Sequence, residues 1–213
     1  MRILITAGPT REAIDPVRYI GNRSSGKMGA AFAEASLRSG HSTTLILGPV
    51  AAEFPEAATR IDVETAAEML AIVLREFPQH DLLIMAAAVA DYRPVEVSAS
   101  KLGRQGRRLI EVEPTEDVVA AAGKIKRPDQ RIVGFSLESE PDLDRVRGKM
   151  RQKNLDLMIY NPVSTIASDS IEPWILDPAG GVEKLTYGSK AHFADMLLKR
   201  SAALFQFPPA AGV

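Results

Sequence analysis

Cysteine is absent from all 213 residues. That excludes disulfides, thiolate metal sites and a cysteine nucleophile. Histidine is scarce, and His41, His80 and His192 fit no metal-ligand spacing, so they are expected to be structural or exposed. No charge of one sign prevails: 26 basic against 27 acidic residues leave a net charge of -1, which excludes bulk attraction to nucleic acid or to an anionic membrane surface. Any binding must be local. No apolar run approaches the roughly eighteen residues of a membrane span, and the N-terminus enters a strand pattern without a signal peptide. A soluble cytoplasmic protein is expected.

What is present centres on Ile3 to Gly29. Ile3 to Ala7 are apolar or small and uncharged, apart from the hydroxyl of Thr6. This suits a strand buried on both faces of a parallel sheet, expected to be the first and central one. From Gly26 onward Met28, Ala31, Phe32 and Ala35 share one face of a helix, with Ser24 and Ser25 as candidate caps. A helix N-terminus therefore faces the end of that strand. Such an end carries unpaired amides and about half a positive charge, and Gly26 and Gly29 present no side chain to obstruct a phosphate. The connection between strand and helix is about eighteen residues, whereas roughly two to six are usual in α/β units. Arg11, Arg18, Asn22, Arg23, Ser24 and Ser25 lie in it, all able to donate to phosphate or carboxylate. The competing account is a solvated surface loop stiffened by Pro9 and Pro16.

Further along, strand and helix patterns alternate. Thr43 to Leu47 predicts a second strand, stopped by Gly48 and Pro49. Thr65 and Glu68 form a capping box, after which Ala67, Leu70, Ala71 and Leu74 recur at helical spacing. Asp81 to Val89 is the most apolar run and predicts a central strand. Tyr92 to Val112 interrupts the alternation as a hairpin or flap, with extended segments at 95–97 and 109–112. Helix 115–123, strand 131–137, helix 142–152 and strand 155–160 restore it. Trp174 to Asp177 and Val182 to Leu185 flank an Ala-Gly-Gly turn in a late hairpin, and Ser189 caps a last helix carrying Phe193, Met196, Leu197 and Leu204. One domain over 1–206 is expected, followed by a disordered tail over 207–213.

This alternation predicts a doubly wound, mostly parallel, Rossmann-like α/β sheet with an antiparallel flap or hairpin, binding ligands outside the carboxyl ends of the strands. A nicotinamide enzyme is the obvious occupant of such a fold. The first turn, however, lacks G-x-G-x-x-G, and the second strand ends in Leu47, Gly48 and Pro49 rather than an acidic residue that would hold a ribose. Dinucleotide oxidoreduction therefore ranks low.

The stretches ITAGPTRE (5–12), DPVRYIGNRSSGKMG (15–29), AAAVADYRP (86–94), GFSLES (134–139) and KNLDLMIYN (153–161), with Lys101 ten residues after Asp91, resemble phosphopantothenoylcysteine synthetases of coenzyme A biosynthesis. The resemblance runs from about Ile3 to Arg200 with the motifs in the family's order. In most bacteria this synthetase is fused behind a flavin-dependent decarboxylase. The chain here starts at the synthetase strand, so neither a flavin domain nor FMN is expected. The resemblance implies a cytoplasmic, dimeric ligase. The carboxylate of 4'-phosphopantothenate attacks the α-phosphate of CTP to give an acyl-cytidylate and pyrophosphate, and L-cysteine then displaces CMP. Mg2+ arrives on the nucleotide rather than in a protein cage.

The family's residues map onto named positions. Asn22 is implied to contact the pantothenate moiety and to be needed for converting the acyl-cytidylate, and Arg18 belongs to the same site. Lys101 matches the first lysine of a Lys-Ile-Lys-Lys motif that neutralises triphosphate charge; here the motif reads Lys101, Leu102, Gly103, Arg104. For the ligands the resemblance implies Ser24, Ser25 and Gly26, the backbone of Ala87 and Ala88, and the nucleotide-contacting Asp91. Glu116, Asp117, Val118 and Val119 stand at a family Pro-Asp-Ile-Val cradle for cytosine and ribose, with Glu116 replacing the proline. Phe135 matches an aromatic that packs on the nucleotide, and Lys149 and Lys153 match lysines that reach its phosphates. Each has a plainer account on residue type alone: Asn22 as a turn former, Asp91 as a turn cap, Phe135 as core, the lysines as solvated charges. Asn161 is followed by Pro162 where the family would have aspartate. Val95, Val97, Leu109 and Ile110 have no evident core to cover, so a homodimer through the 92–112 flap or the late hairpin is expected. A separate phosphopantothenoylcysteine decarboxylase is a candidate partner. Two rival classes stand beside the ligase: an ATP- or NAD-utilising enzyme of similar fold, and a catalytically silent nucleotide-binding subunit of a decarboxylase complex.

Overall fold

Ile3, Leu4, Ile5 and Ala7 offer solvent no polar side chain, and in the computed structural model all four are fully buried in β1 (Arg2–Ala7). The structure describes residues 1–104, 106–138, 142–162, 170–185 and 188–206. After β1 come β2 (Arg11–Ala13), β3 (Tyr19–Gly21), α1 (Lys27–Arg38), β4 (Ser42–Leu47), β5 (Thr59–Asp62), α2 (Ala66–Glu76), β6 (Leu82–Met85) and β7 (Tyr92–Pro94). They are followed by β8 (Val112–Pro114), α3 (Val118–Ile125), β9 (Arg131–Glu138), α4 (Leu143–Gln152), β10 (Leu157–Pro162), β11 (Ser170–Ile171), β12 (Trp174–Leu176), β13 (Val182–Lys184), β14 (Gly188–Ser189) and α5 (Lys190–Ala203).

Eight strands form one sheet in the order β13-β12-β10-β9-β6-β1-β4-β5. All neighbours are parallel except β10 with β12 and β12 with β13. Side chains alternate across it. Ile3, Ile5, Leu82, Ile84, Val133, Leu157 and Ile159 pack with α1 and α5 on one face. Leu4, Leu83, Met85, Ile132, Met158 and Tyr160 pack with α2, α3 and α4 on the other. Helices thus cover both faces of a mostly parallel sheet, as the alternation predicted. One close approach orients α1: a Cβ added at Gly29 would lie 2.2 Å from the Cβ of Ala7, so only glycine lets the start of the helix sit against the end of β1.

Several local expectations change. β1 is interior but off-centre, since β9 and β6 occupy the middle of the sheet. The apolar run at 81–89 yields a strand only over Leu82–Met85, because beyond it the small residues turn aside: Ala88 donates to the Gly8 carbonyl at 2.8 Å and makes a lone parallel bridge with Pro9. The flap pairs through β7 and β8, one step outside the expected segments at 95–97 and 109–112: Val112 pairs with Pro94, and Val95 N donates to the Glu111 carbonyl at 3.1 Å, but among the described residues no strand lies between 95 and 111. β5 was not anticipated, nor was the β2/β3 hairpin inside the long connection. α3 begins at Val118 rather than 115, because Asp117 is its cap. The cap of α1 is Gly26, at φ 74°, with no side-chain bond, in place of Ser24 or Ser25. The 207–213 tail lies outside the described residues.

In α2 the capping box forms as expected, with Glu68 N donating to Thr65 Oγ1 at 3.1 Å and the Glu68 carboxylate returning to Thr65 N. The buried face is Ala66, Met69 and Val73, whereas Ala67 and Ala71 are exposed. Leu70, from the expected face, still packs partly buried against the same cluster, so the buried stripe is shifted around the helix toward Met69 and Val73 rather than reversed. Thr65→Ala should lower stability by about 1 kcal/mol, read as a shift in denaturant midpoint at unchanged slope.

Buried polar groups at the far end of the sheet from the strands' carboxyl termini are structural. Asp156 accepts from Ile132 N at 2.7 Å and from Lys126 Nζ at 2.9 Å. His80 bridges the Glu76 carbonyl at 2.7 Å and Thr44 Oγ1 at 2.8 Å, His41 lies 3.4 Å from the N-terminal amine, and His192 is exposed on α5. Among the described residues no helix is long and apolar enough to cross a membrane.

Candidate active site

The carboxyl ends of β6, β9 and β10 open into a cleft of about 830 Å3, the place where an open α/β sheet binds its ligands. Asn22, Ser24, Ser25 and Gly26 line it from the β3–α1 connection, and Ala87, Ala88 and Asp91 from the segment after β6. Glu116, Asp117, Val118 and Val119 enter from the start of α3, Phe135 from β9, and Lys149 and Lys153 from α4 and its C-cap. The thirteen residues that the resemblance assigns to the ligands therefore line one cavity together with Asn22. Arg23, singled out as a donor in the long connection, lines it too, and Lys27 and Lys190 add cations that were not anticipated.

At the α1 end, the left-handed Gly26 turns the chain into the helix while Ser24 Oγ accepts from Gly26 N at 3.4 Å. With no side chain capping it, the first turn of α1 presents its amides at the cleft wall formed by Gly26, Lys27 and Met28. An anion is the matching ligand.

The segment after β6 is held by residues that sequence reasoning missed. Thr6 and Thr10 are fully buried. Thr6 Oγ1 accepts from Ala87 N at 3.3 Å and Thr10 Oγ1 from Ala90 N at 2.8 Å, while Thr115 Oγ1 donates to the Ala90 carbonyl at 2.5 Å. Asn22 Nδ2 donates to the Val89 carbonyl at 2.7 Å, which ties the two walls of the cleft together. The two threonines explain the motif around the first strand: their hydroxyls satisfy backbone amides of a loop with no regular pairing. A hydroxyl within an apolar run was the available signal.

On the opposite wall Asp117 caps α3, accepting from Ala120 N at 2.9 Å, and pairs with Lys153 Nζ at 2.7 Å. Phe135 is half-buried and meets Phe32 edge-on, with ring centroids 5.8 Å apart, so it belongs to the core and the cleft at once. Asn161 ends β10 in the cleft, buried, with its Oδ1 unpartnered.

Arg18 and Lys101 do not line this cleft. They border a second depression of about 590 Å3 with Leu102, Gly103, Arg104, Gly106 and Arg108. Arg18 is engaged with Asp15, whose side chain is fully buried. The Asp15 carboxylate accepts from Val17 N and Arg18 N at 2.8 Å each, from Arg18 Nε at 3.0 Å, from Arg18 Nη2, and from Leu102 N at 3.1 Å. The same Nη2 donates to the Leu102 carbonyl at 2.7 Å. The hydrogen-bonded Arg18 guanidinium holds the Asp15 carboxyl well below the usual carboxylate range, with the three backbone amides assisting and burial opposing. Asp15 was not among the expected site residues, because an acid beside a proline in a loop is an ordinary turn residue.

A family model described as the DNA/pantothenate metabolism flavoprotein C-terminal domain matches residues 1–204. A cysteine/cysteine sulfinic acid decarboxylase from an unknown prokaryotic organism is 37% identical over 209 residues, covering 95% of this chain and 58% of that protein. The coenzyme A biosynthesis bifunctional protein CoaBC of Vibrio cholerae serotype O1 is 45% identical over 166 residues, covering 76% of this chain and 42% of that protein. The chain spans about half the length of the curated relatives it matches. The crystal structure of the C-terminal domain of a CoaBC protein superposes with a TM-score of 0.83 at 36% identity, covering 96% of this chain and 95% of that one.

Proposed function

We propose that this chain, which belongs to the family of DNA/pantothenate metabolism flavoprotein C-terminal domains, is a phosphopantothenate-cysteine ligase that uses CTP. The observation that carries this reading is the cleft at the carboxyl ends of β6, β9 and β10. It combines the uncapped N-terminus of α1, the amide of Asn22 and the lysines of α4 in a volume of about 830 Å3, large enough for a nucleotide beside a second ligand. Two anions must meet there, and dense positive charge with fixed amide donors is what makes that encounter favourable.

In the first step a carboxylate oxygen of 4'-phosphopantothenate bonds to the α-phosphorus of CTP while the bond to pyrophosphate breaks. In the second the cysteine amine bonds to the acyl carbon, loses a proton, and CMP leaves. The first turn of α1 and Lys27 supply positive potential, and Asn22 Nδ2 keeps one hydrogen for an acyl oxygen after serving Val89. Mg2+ would travel on the nucleotide phosphates, whose oxygens are the hard ligands it prefers. Purified protein with 4'-phosphopantothenate, cysteine and each nucleotide in turn should release pyrophosphate with CTP and form the amide product. Release with ATP alone would move the reading to the ATP-utilising class. Binding without release from any nucleotide would mean a silent subunit.

We also propose a homodimer joined through the flap. Val95, Val97, Leu109 and Ile110 are 47%, 59%, 85% and 45% exposed, an apolar group that a single subunit leaves uncovered. Light scattering at micromolar concentration should give twice the chain mass, and a monomer mass would remove the idea.

A further inference from the structure

The connection between β1 and α1 is not a slack loop. Arg11 N donates to the Glu64 carbonyl at 2.8 Å, and the buried Glu12 carboxylate accepts from Ala66 N at 2.8 Å, so the β2/β3 hairpin is fastened to the start of α2. Its turn reaches the flap: Ser98 N donates to the Ile14 carbonyl at 3.0 Å, and Asp15 with Arg18 takes both main-chain polar groups of Leu102. Asn22 follows the last residue of the same hairpin and is bonded to Val89 in the cleft. One rigid bracket therefore carries the cleft amide at its base and grips, at its tip, the residue next to Lys101.

We propose that Asp15 is a positioning residue for Lys101: its buried carboxylate, working with Arg18, fixes Leu102 at both its N–H and its carbonyl and so sets the reach of the neighbouring lysine relative to Asn22. The proposal rests on the ligase reading and on a part for Lys101 in the first step. An isolated flap lysine has a long flexible stem and loses rotamer entropy each time it is used. A fixed main chain on its C-terminal side lowers that cost before substrate arrives. Nearly all of the Asp15 acceptor capacity goes to ordering two segments that regular secondary structure does not join.

The test is a double-mutant cycle read by single-turnover pyrophosphate release, with nucleotide affinity and melting temperature measured alongside. Asp15→Asn should slow the first step by about tenfold and change nucleotide affinity by less than about threefold. In a Lys101→Gln background the same substitution should cost nothing further, because its effect passes through the lysine. An equal loss in both backgrounds would make Asp15 a general stabiliser and overturn the proposal, as would a wild-type rate for Asp15→Asn. If Asp15→Asn does not fold, Leu102→Pro removes the flap amide that Asp15 accepts, fixes the backbone at 102 and restrains Lys101 before it, while Asp15 and Arg18 themselves are unchanged. It should slow the first step likewise, and a wild-type rate there overturns the proposal. A wild-type protein that releases no pyrophosphate would overturn the ligase reading and this one with it, whereas an active wild type confines any failure to the bracket.

Discussion

Asn22→Asp is expected to leave pyrophosphate release largely intact while amide formation falls by about two to three orders of magnitude, the usual cost of losing an oxyanion donor. The acyl-cytidylate should then accumulate and be detectable by quenching. The physical reason lies in what the two half-reactions ask of the site. During activation, negative charge moves toward pyrophosphate, and the cations and the first turn of α1 answer it. During attack by the cysteine amine, charge builds on the acyl oxygen instead, and a donor fixed before the reaction is needed there. Asn22 is so fixed, because one of its amide hydrogens is held by the Val89 carbonyl at 2.7 Å. Aspartate would have no hydrogen for either oxygen and would place a negative charge beside both. Melting temperature separates this from a structural effect, since the lost bond to Val89 alone should cost only about 1 kcal/mol. If pyrophosphate release disappears together with ligation, the part assigned to Asn22 is wrong.

The sheet was legible because its buried strands cannot be mistaken for anything else: Ile3–Ala7 and Leu82–Met85 are apolar on both faces and too short for helices. The capping box at Thr65 and the cap at Ser189 were equally readable, as each rests on one side chain and an amide three residues away. What escaped has a common physical character. β2, β3 and β5 contain Arg11, Glu12, Arg60 and Asp62 and take their pairing from tertiary neighbours rather than from local propensity. The phase of α2 was shifted rather than missed, because Ala67, Leu70, Ala71 and Leu74 border the stripe through Met69 and Val73, and Leu70 still packs on the core.

For the site, the motifs led to the cleft, and the structure brings Asn22 together with the thirteen ligand-binding candidates there. It holds Arg18 and Lys101 apart from them, in a second depression. Spacing along the chain could not have shown that Arg18 is occupied by Asp15, because the buried acid that claims it has no signature of its own. Thr6 offered only a hydroxyl in an apolar run as a signal, and neither it nor Thr10 could be matched to its partner, since their work is to satisfy amides eighty or more residues away.

Lys101→Gln should lower acyl-cytidylate formation by about a hundredfold or more while changing nucleotide affinity by less than about tenfold. A bound CTP carries close to four negative charges, and activation brings a carboxylate against them. A flap cation therefore contributes most as charge shifts toward departing pyrophosphate, which places its effect on rate more than on binding. Lys101 borders the second depression rather than the cleft, in company with Arg104 and Arg108, so in the proposed reaction its side chain would reach the phosphates from there and would not sit on them in the ground state. That separation favours a rate effect over an affinity effect. Gly103 leaves only Lys101 and Arg104 where the resembling family has three lysines, and a guanidinium binds phosphate at least as well as an ammonium. Arg104→Ala should accordingly slow the first step by about tenfold, and the double variant should lose more than either single one. Single-turnover pyrophosphate release decides between the accounts: Lys101→Gln reacting at the wild-type rate would reduce the flap to a structural element and leave the cations of the cleft wall, Arg23, Lys27, Lys149, Lys153 and Lys190, to carry the first step.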